Sequence, residues 1–254
     1  MKMRTETIPS IHTRVKKIAC SAIALAVLAV SVSIVSLVFH FVPLRKKPTA
    51  AEIYSQSLYN VVEVKAESDD VGESFGTGEI VSSDGRIVTN AHVVTYSRLG
   101  SVNEFERYYI RFAFEDEYRA VKLEKYDTEA DLAVLYFEEP TDVASKPIKL
   151  GGRPLASGDK VYAIGNASNY GIGIFEGIVS IPLVHVELDG VTRTVIQCDI
   201  TIAAGNSGGA LVNDDGEFIG MTTFRTKDTS GNVIYGIVYC IPAETILDYA
   251  DKKS

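Results

Sequence analysis

Apolar positions along the chain fall into two regimes. From Ile18 to Phe39 nearly every residue is apolar or small, and none is charged as far as Leu44. About 20 such residues suffice to cross a bilayer, and the run is long for the core of a cleaved secretion signal. Beyond residue 60 the apolar positions come in short β-branched and aromatic runs, such as Tyr108–Phe114 and Lys160–Ile164. Turn signals at Ser83-Asp84-Gly85, Asp189-Gly190 and Asp215-Gly216 separate others, a pattern that predicts an all-β barrel or sandwich. Helices are expected only towards the ends, over 50–60 and over 243–252, the second opened by Pro242. No internal repeat or low-complexity segment occurs.

Charge divides the chain at the same place. The first 47 residues hold eight Lys/Arg and one acid, whereas the remainder holds 17 basic and 32 acidic residues. An acidic body repels phosphates, so nucleic acid is not an expected partner. Five basic residues precede the apolar run and three follow it, a bias that puts the N-terminus in the cytoplasm and the body outside. The expected organisation is a basic cytoplasmic tail (1–17), a transmembrane signal anchor (18–44), a juxtamembrane linker (45–54) and a soluble domain (55–254). Small residues at Thr49-Ala50-Ala51 offer a rival cleavage site, but too far beyond the run. Cys20 precedes that run instead of following it, which argues against lipidation. Cys198 and Cys240 are too few for a disulfide framework; free buried thiols are expected, though their strands could be neighbours. No Cys or His pair has metal-ligand spacing, so neither metal nor cofactor is expected.

The stretch Gly205-Asn206-Ser207-Gly208-Gly209 sets a serine in a turn between Ile200–Ala204 and Ala210–Val212. Serine and glycine are ordinary turn residues, so its chemistry depends on what else the chain supplies. A serine hydroxyl needs a base to take its proton, usually a histidine oriented by a carboxylate. Four histidines are available, and all precede Ser207. His12 lies in the basic tail and His40 in the apolar run. His185, in the alternating Val184–Leu188, reads as a strand position of a hairpin. His92 remains, where the strand-like Ile87-Val88-Thr89 gives way to Asn90-Ala91-His92. Asp131, the only acid in Ala130–Leu135, supplies an orienting carboxylate. Gly205–Gly209 also spells the G-x-S-x-G elbow of α/β-hydrolases, but there the histidine follows the serine; the order His, Asp, Ser matches the chymotrypsin arrangement.

Thr89–Val94, Asp131–Leu135, Ala163–Asn166, Gly177–Ser180 and Gly205–Val212 together resemble, in order, the protease domain of HtrA/Deg-type serine proteases. Phe75–Gly78 and Tyr235–Pro242 look like its first hairpin and last strand, so the resemblance covers roughly residues 55–247. It implies a chymotrypsin-like double β-barrel with the site in the cleft between barrels. His92, Asp131 and Ser207 would then be catalytic, with the N–H groups of Gly205 and Ser207 as the oxyanion hole. Asn206 stands where digestive trypsin-like enzymes carry an aspartate that pairs with a freed N-terminus, so zymogen cleavage of that kind is not expected.

The same architecture implies a substrate pocket built from three segments. They are Thr201-Ile202-Ala203-Ala204, Thr222-Thr223-Phe224 and Gly236-Ile237-Val238. Thr201 stands where enzymes cutting after Arg or Lys carry an aspartate, and a cationic side chain left unpaired there would be costly. Cleavage after Val, Ala or Leu is expected. The chain ends soon after the last helix, where HtrA-type enzymes usually continue into a PDZ domain, so regulation by peptides docking on such a domain is not expected. The resemblance implies a membrane-anchored endopeptidase acting on exported or misfolded proteins and leaves a homo-oligomer open. The alternative is a catalytically silent relative that binds peptides in the same cleft. A glutamyl endopeptidase is disfavoured, since it would normally place a histidine on the pocket wall and none follows Ser207.

Overall fold

The computed structural model describes residues 11–41, 46–138, 148–188, 190–227 and 233–252. Contacts divide the chain into two units, Met1–Lys46 and Lys47–Ser254. The first contains α1 (Ile11–Phe41), 31 residues long. Ile23, Leu25, Val27 and Leu28 on it are all more than half exposed. Among the described residues no helix is long and apolar enough to cross a membrane. Residues 42–45, the end of the expected span, lie outside the described residues.

The second unit opens with α2 (Ala50–Ser57), followed by β1 (Val61–Ser68), β2 (Gly72–Ile80) and β3 (Ile87–Thr89). A one-turn helix α3 (Ala91–Val94) leads into β4 (Thr95–Arg98), β5 (Ser101–Glu104), β6 (Arg107–Phe112), β7 (Arg119–Asp127) and β8 (Leu132–Tyr136). After these come β9 (Lys160–Gly165), β10 (Gly173–Leu188), β11 (Val191–Ile200), β12 (Ala210–Asn213), β13 (Phe218–Lys227), β14 (Val233–Pro242) and α4 (Ala243–Asp251). Strands β1-β2-β3-β8-β7-β6 close one barrel and β10-β11-β14-β13-β12-β9 a second, while β4 and β5 pair apart from both. The expected double barrel is thus present.

Alternation along the strands explains how two barrels pack. On β1, Val62 and Val64 join Ile110 and Phe112 inside the first barrel, whereas Val61 faces the other way. On β9, Val161 and Ala163 fill the second barrel, and Tyr162 and Ile164 face outwards. The outward residues meet Val88, Leu132, Val212 and Met221 in a third cluster, the seam between barrels. Ile53 of α2 and Ile246 of α4 close its edge, with 1% and 0% of their surface exposed.

Residues 50–54, expected in a linker, therefore belong to the folded body. Thr49 and Glu52 form a reciprocal capping box at the start of α2, which satisfies N–H groups the helix leaves unpaired. The helix stops short of residue 60 because the Asn60 amide donates to Ile80 O at 3.0 Å, committing the chain to β1. Asp189 of the expected Asp-Gly turn lies outside the described residues; β10 and β11 flank it.

Candidate active site

His92 owes its position to α3. Ala91, Val93 and Val94 are fully or almost fully buried, so the one helical turn leaves the imidazole facing out, about half exposed. Asp131 lies just ahead of β8 with φ 54°, a left-handed conformation that aspartate tolerates better than most residues. Its carboxylate is buried and collects several donors. His92 Nδ1 lies 3.0 Å from both oxygens, the His92 N–H donates to Oδ1 at 3.1 Å, and Thr223 Oγ1 donates to Oδ2 at 2.5 Å. Buried Asn90 then ties the pair together, its amide donating to Asp131 O at 2.9 Å and to Thr223 Oγ1 at 3.1 Å. A carboxylate held this way fixes both the plane and the tautomer of the imidazole.

Ser207 sits in the turn between β11 and β12. Gly205 has φ +92° and a Cβ there would lie 2.2 Å from Asn166 O; Gly208 has φ +85° and a Cβ would lie 1.9 Å from Thr77 O. Neither position admits a side chain. Thr77 of β2 fastens the turn across the seam: its Oγ1 donates to Gly205 O at 2.7 Å, and its N–H donates to Ser207 O at 2.8 Å. The same hydroxyl accepts from Asn166 N at 2.9 Å. Among the described residues the N–H groups of Gly205 and Ser207 donate to no carbonyl. The Asn206 amide is buried with neither polar atom paired.

His92, Asp131 and Ser207 line one cavity of about 640 Å³. Ser207 Oγ donates to Thr223 O at 3.3 Å rather than to His92. Of the expected pocket residues, Ile202, Ala203, Ala204, Thr223 and Phe224 line this cavity, and the others do not. Thr222 is buried behind the serine, donating to Asn206 O and Gly209 O. Val238 belongs to the second-barrel core. Gly236 turns with φ +77° against the Asp199 carboxylate, Ile237 is half-buried and Thr201 is exposed. Pattern reading missed the lining from Tyr96, Val102, Thr128 and Arg193, none of which belongs to a motif. Arg193 faces Val186 across the β10–β11 pair, and no sequence signal sets it apart.

Two other expectations concern residues away from the cavity. His185 is a strand residue, with Nδ1 2.9 Å from Thr194 Oγ1. Cys198 and Cys240 are free and buried on adjacent strands, two positions out of direct register. A hydrogen bond to Cys198, together with burial, pushes the Cys240 thiol well up, which keeps it an unreactive thiol.

A family model described as the trypsin-like peptidase domain matches residues 76–221. The chain belongs to the trypsin-like peptidases. Within that family it carries a serine endopeptidase domain of the HtrA/DegS type. It is 30% identical over 211 residues to serine endoprotease DegS of Haemophilus influenzae, covering 81% of this chain and 57% of that protein. With mitochondrial serine protease HTRA2 of Bos taurus it shares 35% over 184 residues, 70% of this chain and 36% of that protein. A solved structure of the HtrA-type protease AlgW with tripeptide superimposes with a TM-score of 0.66 at 29% identity, covering 79% of this chain and 62% of that one. The serine endoprotease from Yersinia pestis gives 0.64 at 29% identity, covering 81% and 67%. The peptidase chain spans about half the length of the curated DegS relatives it matches.

Proposed function

We propose that this chain hydrolyses peptide bonds by nucleophilic attack of Ser207, with His92 as the base and Asp131 as its orienting partner. The observation that carries the reading is the His92–Asp131 contact at 3.0 Å in the wall of the cavity that also holds Ser207. His92 takes the proton of the hydroxyl as it attacks the substrate carbonyl and returns it to the leaving amine. Asp131 accepts from Nδ1, which leaves Nε2 to face the serine. The unengaged N–H groups of Gly205 and Ser207 receive the developing oxyanion, where loss of one donor typically lowers the rate roughly 100- to 1,000-fold. Ile202 and Ala203 favour cleavage after Val, Ala or Leu, and no unpaired acid in the cavity awaits a cation.

A silent, peptide-binding protein is the second reading. The Ser207 hydroxyl bond to Thr223 O, at 3.3 Å, favours it. Rotation about one side-chain bond releases that contact, so it does not oppose catalysis. Reaction with a fluorophosphonate probe decides between them: the full chain labels, and Ser207→Ala does not. Labelling that persists in the variant, or is absent from the wild type, overturns the assignment.

The chain acts on exported or misfolded proteins outside the cytoplasmic membrane, held there by residues 18–44. Support comes from the run without charge between Ile18 and Leu44. Full-length chain should resist alkaline carbonate extraction from membranes, whereas a chain starting at Lys47 should be released; release of both removes the anchor.

A further inference from the structure

The hairpin β10–β11 is longer than its barrel requires. Strand β10 pairs with β9 only over Gly173–Ile178, and β11 pairs with β14 only over Ile196–Cys198, whereas the two pair with each other as far as Leu188 and Val191. Among the described residues the distal half of the hairpin thus has no further strand of the second barrel beside it, and it reaches the first barrel instead. Arg193, opposite Val186 on that half, donates from Nε to Glu129 O at 2.5 Å and from Nη2 to Thr128 O at 3.1 Å. Its guanidinium lies 5.2 Å from the Phe224 ring centroid. Thr128 and Glu129 belong to the turn that joins β7 to β8, and that turn ends on Asp131.

We infer that Arg193 is a positioning residue: from the second barrel it clamps the turn of the first barrel that carries Asp131, and so holds the carboxylate where His92 needs it. The inference rests on the proposed peptidase reading. Asp131 has φ 54°, and backbone in a sparsely populated region persists only where its surroundings over-determine it. The turn is held from within as well, since Asp127 Oδ1 accepts from Glu129 N at 2.8 Å and from Ala130 N at 2.9 Å. Asp127 thus takes N–H groups of the turn and Arg193 takes its carbonyls. Thr128 and Glu129 are both exposed, so water would satisfy these carbonyls equally well and the clamp answers no cost of burial. What it fixes is where the turn sits. The planar fork of an arginine addresses two neighbouring carbonyls at once, whereas a lysine ammonium is a point charge on a flexible stem.

The rate at which a fluorophosphonate labels Ser207, measured against probe concentration, tests this with the full chain, Arg193→Met, Arg193→Lys and His185→Gln, each also followed by urea unfolding. His185 bonds Thr194, the neighbour of Arg193, and therefore lies on the opposite face of the same hairpin. Arg193→Met should lower the maximal labelling rate by about tenfold or more, since a misplacement of about 1 Å set up away from the chemistry costs roughly 100-fold, and should leave the half-saturating probe concentration unchanged. Arg193→Lys, which keeps one donor and the charge, should fall between Arg193→Met and wild type, and His185→Gln should match wild type. Should Arg193→Met not fold, the slowing of Arg193→Lys against wild type decides in its place. A wild-type maximal rate in Arg193→Met, or a change confined to half-saturation, overturns the positioning role and leaves the peptidase reading intact. Equal slowing in Arg193→Met and Arg193→Lys, or the same slowing in His185→Gln, overturns it too, because the effect would then belong to the hairpin rather than to the two carbonyl bonds. Absence of labelling in wild type overturns both.

Discussion

Thr223 joins the serine to the aspartate through a single residue. Its hydroxyl donates to Asp131 and accepts from Asn90, while its carbonyl accepts from Ser207. Thr223→Val keeps the shape and removes the hydroxyl, leaving the buried carboxylate one donor short. A hydrogen bond to a charged group is worth roughly 1.5–3 kcal/mol, so fluorophosphonate labelling should slow by about tenfold or more; an unchanged rate would show that Asn90 and His92 hold Asp131 without it. Glu79 is a different kind of residue. Only 4% exposed, it lies in the ladder between Val61 and Val88, both seam residues, and its Oε2 has no partner. Burial pushes its carboxyl well above the ordinary value of 4.5. The folded chain therefore keeps this acid protonated where the unfolded chain ionises it. Its contribution is fully present below the unfolded pKa and is lost as pH rises towards the folded one. Glu79→Gln should flatten the decline of stability as pH rises above the ordinary carboxyl value of 4.5, measured by urea unfolding; equal slopes would mean that Glu79 is not buried as a neutral acid. His92, Asp131 and Ser207 were legible because a histidine, a lone acid and a serine among glycines are uncommon in their surroundings. Thr223 could be placed in the pocket but not tied to Asp131, because a threonine in a strand carries no pattern that announces its partner.

Element boundaries were legible where turn chemistry or alternation was strong, as at Asp215-Gly216 between β12 and β13. The β4–β5 hairpin was not, because Thr-Tyr-Ser-Arg and Ser-Val-Asn-Glu are mostly polar and half-exposed, and its turn violates the usual chemistry. Leu99 has φ 54° and is 99% exposed, followed by Gly100 with φ 81°. Such two-residue turns prefer Asn-Gly or Asp-Gly. A leucine in the left-handed region costs about 1–2 kcal/mol and here buries nothing in return. Leu99→Asn should raise the melting temperature by about 2–4 °C, the shift that about 1 kcal/mol produces in a body of this size. A lower melting temperature would mean that Leu99 has a contact absent from this structure. The start of α2 at Ala50 was as expected, and its capping box is written in Thr49 and Glu52; its end at Ser57, short of residue 60, was not legible, because the commitment of Asn60 to Ile80 O is a long-range contact that no local periodicity announces.

At the scale of the molecule, two barrels followed from the family resemblance that the motifs carry, while the seam did not, since alternation assigns faces to a strand without saying what each face meets. Thr77 shows the consequence. Its hydroxyl spans the seam to Gly205 O and Asn166 N at 2.7 and 2.9 Å, so Thr77→Val should weaken the serine turn without touching a reacting group. Labelling of Ser207 should slow by about tenfold while urea unfolding loses about 1–3 kcal/mol; a loss of stability with no slowing would assign Thr77 to the seam alone. The serine is encoded in the second half of the chain, but its turn is bolted to a strand of the first. Recombination between relatives would thus be asymmetric. A hybrid that took its second barrel from another member would import a nucleophile whose fastener is read from the host half. Inheritance of position 77, more than overall resemblance between the parents, would decide whether such a hybrid is born working.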